Sequence, residues 1–187
     1  MSSPESAPRG FAARTGLVAA FLAASLLGAG CTVRPLYSDA VAPGASAPMA
    51  AQLALVSVKP VSTRQAQEVR NQLIFLLGGG QGSPGAPGYV LDIAVSSHSS
   101  AAAVIQVSTS TQSPTSSLLT MTALYTLTDA ATGRVVARGR RAISSAYDVP
   151  QQQFAALRSE RDAENRAARE LAEQLRFAIA QDLSKAG

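Results

Sequence analysis

The chain has 187 residues, sixteen Lys or Arg against twelve Asp or Glu, a net charge near +4, one His and one Cys. That length accommodates one domain with a single core. The mild positive balance is too weak to argue for nucleic acid, and a lone cysteine excludes an intramolecular disulfide.

The N terminus reads as a secretory signal. Arg9 and Arg14 precede an uncharged apolar run, Gly16 to Leu27, which ends in the small residues Gly28-Ala29-Gly30 before Cys31. The apolar run falls short of the ~20 residues a membrane-spanning helix needs. A cysteine directly after such a segment resembles a bacterial lipobox, in which the thiol receives a diacylglycerol and the preceding bond is cut. Gly28 stands where the usual lipobox has leucine. The expected organisation is a signal peptide over 1–30, an acylated N terminus and tether over 31–51, and an α/β domain over 52–187. The tether reading rests on the Ala/Pro/Gly/Ser composition of residues 38–50.

Within the domain, Leu53, Leu55, Val56 and Val58 predict a short strand stopped by Pro60. Ser62 followed by Gln65 predicts an N-cap, and Ala66, Val69, Leu73 and Leu76 lie on one helical stripe ending at Gly78-Gly79-Gly80. Tyr89, Leu91, Ile93 and Val95 alternate as one face of a strand. The Ser/Ala-rich stretch 96–103, which holds His98, reads as a loop, and Gln112-Ser113-Pro114 as a polar break. Leu119, Met121, Ala123, Tyr125 and Leu127 alternate with Thr120, Thr122, Thr126 and Thr128, with Leu118 and Leu124 interrupting the polar face; Asp129 to Gly133 then predict a hairpin loop. The return strand, Arg134 to Tyr147, puts Arg134, Arg138 and Arg140 on one parity. Arg141 has the apolar parity, which predicts a bulge or strand end near Gly139. Pro150 marks the first turn of a long helix with a potential break at Ser159, whose stripe is Ala163, Ala167, Leu171, Leu175, Ala178 and Ile179.

Strand, helix, three strands, helix predicts an α+β two-layer sandwich: a four-stranded, largely antiparallel sheet with two helices on one face. The other face, rich in Thr and Arg, is left open.

The residues argue against an enzyme. His98 has no partner at a helpful spacing for catalysis or for a metal. The glycines at 78–80 follow a helix instead of preceding one, and no serine lies in a Gly-x-Ser-x-Gly elbow. Asp162 and Glu164 read as solvated helix charges. No cofactor and no metal site are expected. Arg134, Arg138 and Arg140, beside the threonine hydroxyls, form a candidate anion-binding face; arginines that merely guard a sheet edge would look the same.

Cys31-Thr32-Val33-Arg34-Pro35-Leu36-Tyr37 resembles the mature start of lipoproteins of the LptE family, whose α-proteobacterial members often read Cys-Gly-Phe-Arg-Pro-Leu-Tyr. Tyr125-Thr126-Leu127-Thr128-Asp129 with Gly133 resembles the family's central hairpin. Ser145-Ala146-Tyr147, Phe154-Ala155 and the helix through Leu171-Ala172 resemble its closing segment. The resemblance implies a sheet backed by two helices. It also implies a lipid-anchored protein of the outer membrane's periplasmic leaflet that plugs an LptD-like β-barrel, assists its assembly and binds lipopolysaccharide during export. Arg134, Arg138 and Arg140 become candidate lipopolysaccharide contacts, and Cys31 the lipidated residue. The expected partners are that barrel, lipopolysaccharide and the membrane through the lipid, with no nucleic acid. An auxiliary lipoprotein of an ABC or MCE lipid transporter would share the lipobox, the small α/β domain and the helical C terminus.

Overall fold

A computed structural model of the chain describes residues 49–108 and 111–186. Cys31, the signal segment and nearly all of the tether lie outside the described residues. The elements run α1 (Met49–Ala54), β1 (Val56–Val58), α2 (Arg64–Leu77), β2 (Tyr89–Ser108), β3 (Thr111–Asp129), β4 (Val135–Asp148) and α3 (Gln153–Ala186). The strands form one sheet in the order β1-β2-β3-β4, with β1 parallel to β2 and the other pairs antiparallel. The parallel pair needs a crossover, and α2 supplies it. The architecture is the expected α+β sandwich, with α2 and α3 packed on one face of a largely antiparallel sheet.

Residue parity decides which side chains reach the helices. Leu119, Met121, Ala123, Tyr125 and Leu127 of β3 are all buried, as are Leu91 and Ile93 of β2. Val69 and Leu73 of α2 and Leu171, Leu175 and Ile179 of α3 meet them. The α3 stripe is rich in alanine, and Ala163, Ala167, Ala168, Ala172 and Ala178 are fully buried. Such short side chains let a helix about 50 Å long lie close to both its neighbours.

Several local expectations change. Residues read as the start of a strand at Leu53 instead close α1, where Ala-Ala-Gln-Leu-Ala favours helix and Leu53 drops into the core. The first strand therefore shrinks to Val56–Val58. Thr63, one residue beyond Ser62, caps α2 and accepts from the Ala66 N–H at 3.3 Å. The Ser/Ala stretch 96–103 is not a loop: β2 continues through it, and His98 pairs across from Thr120. Pro114 lies in β3, where no β4 residue pairs with it, so its missing N–H interrupts no second ladder. Pro150 stays outside α3, which begins at Gln153 and runs unbroken past Ser159.

The bulge in β4 lies elsewhere than near Gly139. Leu127 pairs with Ala137 and Thr128 with Val135, so the extra residue is Val136. Arg141 neither ends nor bulges the strand. It keeps the helix-facing parity and reaches out along the rim, its guanidinium 6.0 Å from the centre of the Tyr125 ring.

Candidate functional site

The open face of the sheet is set by the same register that fixes the core. Across it run rows of directly opposed residues: Asp92, Thr126 and Arg138; Ala94, Leu124 and Arg140; Ser96, Thr122 and Ala142; His98, Thr120 and Ser144. Neighbouring strands stand about 4.8 Å apart, and residues two apart on one strand about 7 Å. Arg138 and Arg140 are thus adjacent cations on the same face, each beside a β3 side chain.

Both guanidinium groups are exposed, and neither makes an ion pair among the described residues. Other cations of the domain are engaged. Lys59 pairs with Asp92 at 2.9 Å, and Arg64 with Glu164 at 2.8 Å. Arg166 bonds Asp162, the Ser145 hydroxyl and the Ala146 carbonyl. Glu164 is therefore no solvated face charge: it also accepts from Gln65 and ties the start of α2 to α3. Asp162, on the exposed side of α3, fits the solvated reading.

The bulge at Val136 separates the third arginine from this pair. Arg134 precedes β4 and sits opposite Asp129, whose N–H donates to the Arg134 carbonyl at 2.9 Å. Counting residues alone puts Arg134 in step with Arg138 and Arg140; the inserted residue shifts that parity by one. Its charge acts on the turn instead. The Asp129 carboxylate accepts from Thr132 N–H and Oγ1, each at 2.8 Å, and from Ala131 N–H at 3.1 Å. These bonds, chiefly those from Thr132, with a smaller contribution from Arg134, hold its pKa below the ordinary carboxylate value. Gly133 closes the turn at φ 69°, a conformation that favours glycine.

The open face also carries apolar side chains that the arginine pattern did not single out. Leu124 is 55% exposed beside Arg140, and Val135 is 40% exposed beside Thr128. The signal for Leu124 was its interruption of the threonine parity. The face can therefore offer a divalent grip on phosphate, hydroxyl donors and a small apolar contact. His98 lies on it, exposed, three rows from Asp92, and no group of His, Cys, Asp and Glu able to hold a metal occurs among the described residues.

On the helical side, Phe154, Leu157 and Phe177 of α3 are exposed, Phe154 almost completely. No helix of the described residues is long and apolar enough to cross a membrane.

A family model described as LptE, lipopolysaccharide-assembly, matches residues 50–179. Among solved structures, a candidate lipoprotein from Caulobacter crescentus CB15 is 27% identical, with a TM-score of 0.58 over 73% of this chain and 96% of that one. A minor lipoprotein from Acinetobacter baumannii is 14% identical, with a TM-score of 0.50 over 68% of this chain and 90% of that one; it shares the fold. No curated protein matches the sequence.

Proposed function

Because the chain belongs to the LptE lipopolysaccharide-assembly family, we propose that it is an outer-membrane lipoprotein that plugs an LptD-like β-barrel, assists the barrel's assembly and binds lipopolysaccharide on its way to the cell surface. Acyl chains on Cys31 hold it at the periplasmic leaflet. Several chains together anchor stably where one alone binds marginally.

The observation that carries the lipopolysaccharide reading is the pair Arg138 and Arg140, side by side on the open face without internal partners. A guanidinium pairs bidentately with phosphate, and each such bond contributes about 1.5–3 kcal/mol at best. Solvent screening lowers that figure on an exposed strand. Thr126 beside Arg138 supplies a neutral hydrogen bond, and Leu124 beside Arg140 a place for the first methylenes of an acyl chain. Arg134, beyond the bulge, contributes to the field of the face more than to the grip.

The barrel reading is supported by the exposed apolar side chains of α3. Phe154, Leu157 and Phe177 lie outside the core and would find cover against an enclosing wall. Crosslinking the lipidated protein in cells and purifying it tests the reading. An LptD-like barrel in the crosslinked complex is the expected result. Recovery of an inner-membrane ABC or MCE transporter in its place would overturn it.

A further inference from the structure

The two edges of the sheet are unlike. The β4 edge carries Arg138, Arg140 and Arg141 and a bulge at Val136, the features with which proteins keep an edge from pairing. The opposite edge is covered only at its start. β1 pairs with Tyr89, Val90 and Leu91, and the Lys59 N–H adds one bond to the Leu91 carbonyl at 2.9 Å. Pro60 then turns the chain away toward α2.

Backbone groups alternate along a strand, so the residues whose N–H and C=O share the direction of Leu91 are Ile93, Val95 and Ser97. No β1 residue pairs with them, and no other backbone bond to them occurs among the described residues. From Ile93 to Ser100 the strand has no Lys, Arg, Asp, Glu or Pro, and its first register shift comes only at Ala101. Among the described residues, no charge or proline of this stretch guards the edge.

Beside this edge lies a cleft of about 580 Å³, lined by Pro60, Val61, Thr63, Ala66, Ile93 and Val95 among others. Its lining is mixed, with Val61, Ala66, Ile93 and Val95 beside the hydroxyl residues Ser62 and Thr63. The charged groups at its rim are already paired, Lys59 with Asp92 and Arg64 with Glu164. The groove between β2 and the start of α2 thus has unpaired backbone on one wall, apolar and hydroxyl side chains beneath and no free charge.

We propose that this groove binds an extended, uncharged segment of a partner protein, which adds as a strand beside Ile93–Ser97 and places one apolar side chain in the cleft. An extended backbone supplies the donors and acceptors that Ile93, Val95 and Ser97 present, and the alternation of the added strand points every second side chain at the cleft. A charged side chain there would be desolvated without a counterion. The segment comes from a loop or a chain terminus, because strands in the wall of a closed barrel have both edges paired. The site lies on the edge away from Arg138 and Arg140, so it stands or falls independently of the lipopolysaccharide reading.

The test uses the full mature chain in detergent and, as probe, an acetylated and amidated hexapeptide of alternating threonine and valine. Amide hydrogen exchange is followed by NMR. At saturating peptide, the Ile93, Val95 and Ser97 amides should exchange about tenfold more slowly, as expected for newly bonded groups, while the outer edge of β4 is unchanged. A peptide N-methylated at alternate residues, with the same side chains, should give no protection. Ser97→Pro removes an outward N–H from an exposed position and should weaken peptide binding about tenfold without moving the unfolding midpoint. If that variant does not fold, the N-methylated peptide decides. No protection by the parent peptide overturns the proposal, as does equal protection by its N-methylated form. Protection already present without peptide overturns it too: rising with protein concentration it marks a second copy on the edge, and independent of concentration it marks the chain's own segment.

Discussion

The ring of Tyr125 lies across the backbone of Gly139, its directly opposed residue on β4, so closely that a Cβ at Gly139 would stand 2.5 Å from the ring. The ring fills the space a side chain would take, an aromatic covering a glycine. Its hydroxyl donates to the Asp182 carboxylate of α3 at 2.7 Å, and Arg141 stands over its face. One residue thereby joins β3, β4 and the last turns of the long helix.

Gly139→Ala should therefore destabilise the protein by about 1–3 kcal/mol, the usual cost of overpacking. The backbone conformation of Gly139 is not left-handed, so no backbone strain adds to the steric cost. Denaturant unfolding of Gly139→Ala, compared with Gly139→Ala in a Tyr125→Leu background, checks this. The cost should shrink when the ring is absent.

Tyr125 also makes stability depend on alkaline pH. Burial, then the bond to Asp182 and its negative charge, push the phenol up from 10.0 to about 12, against a smaller opposing effect of Arg141. The folded state thus holds this proton more tightly than the unfolded chain. Its contribution is complete below pH 10.0 and is lost as pH rises toward about 12. The stability difference between the parent and Tyr125→Phe should narrow across that window. A difference that stays constant with pH would mean that the phenol is neither buried nor bonded to Asp182 as described.

Leu171 is fully buried where α3 crosses the sheet. Leu171→Ala should cost about 2–5 kcal/mol, and Leu171→Asp more, because it buries an unpaired charge. Thermal unfolding followed by circular dichroism checks both. Cooperative unfolding unchanged by Leu171→Asp would mean that this face of α3 does not pack on the sheet.

The strands that face the helices were legible because burial on one side enforces alternation, as at Tyr89–Val95 and Leu119–Leu127. Where that constraint ends, the pattern ends. Residues 96–102 are almost all exposed, so nothing made them alternate, and small polar residues there read as a loop although they pair with β3. The bulge escaped for a related reason. Val135 and Val136 are both apolar, which hides the extra residue, whereas the cation at Arg141 suggests an irregularity that the pairing does not contain. The arginine cluster was therefore half legible: Arg138 and Arg140 share a face, and Arg134 is offset by an insertion that only the pairing register reveals. The contact of Tyr125 with Gly139 could be read only once β3 and β4 were in register.

Mass spectrometry of the protein purified from membranes should show a mature N terminus at Cys31 carrying acyl chains. The motivation is the signal-like segment ending Gly28-Ala29-Gly30. An intact N-terminal segment with a free thiol would refute lipidation.

The central claim, a lipopolysaccharide-binding face on the open side of the sheet, is tested most directly by measuring lipopolysaccharide affinity for the parent and for Arg138→Glu/Arg140→Glu at low and high salt. Both residues are exposed strand positions, so the fold should survive the exchange. The double substitution should weaken binding at low salt by about tenfold or more, the loss of roughly one screened charge-assisted bond per arginine. Parent binding should fall as salt rises. Equal affinity in all four measurements would contradict the account and remove this face as the ligand site.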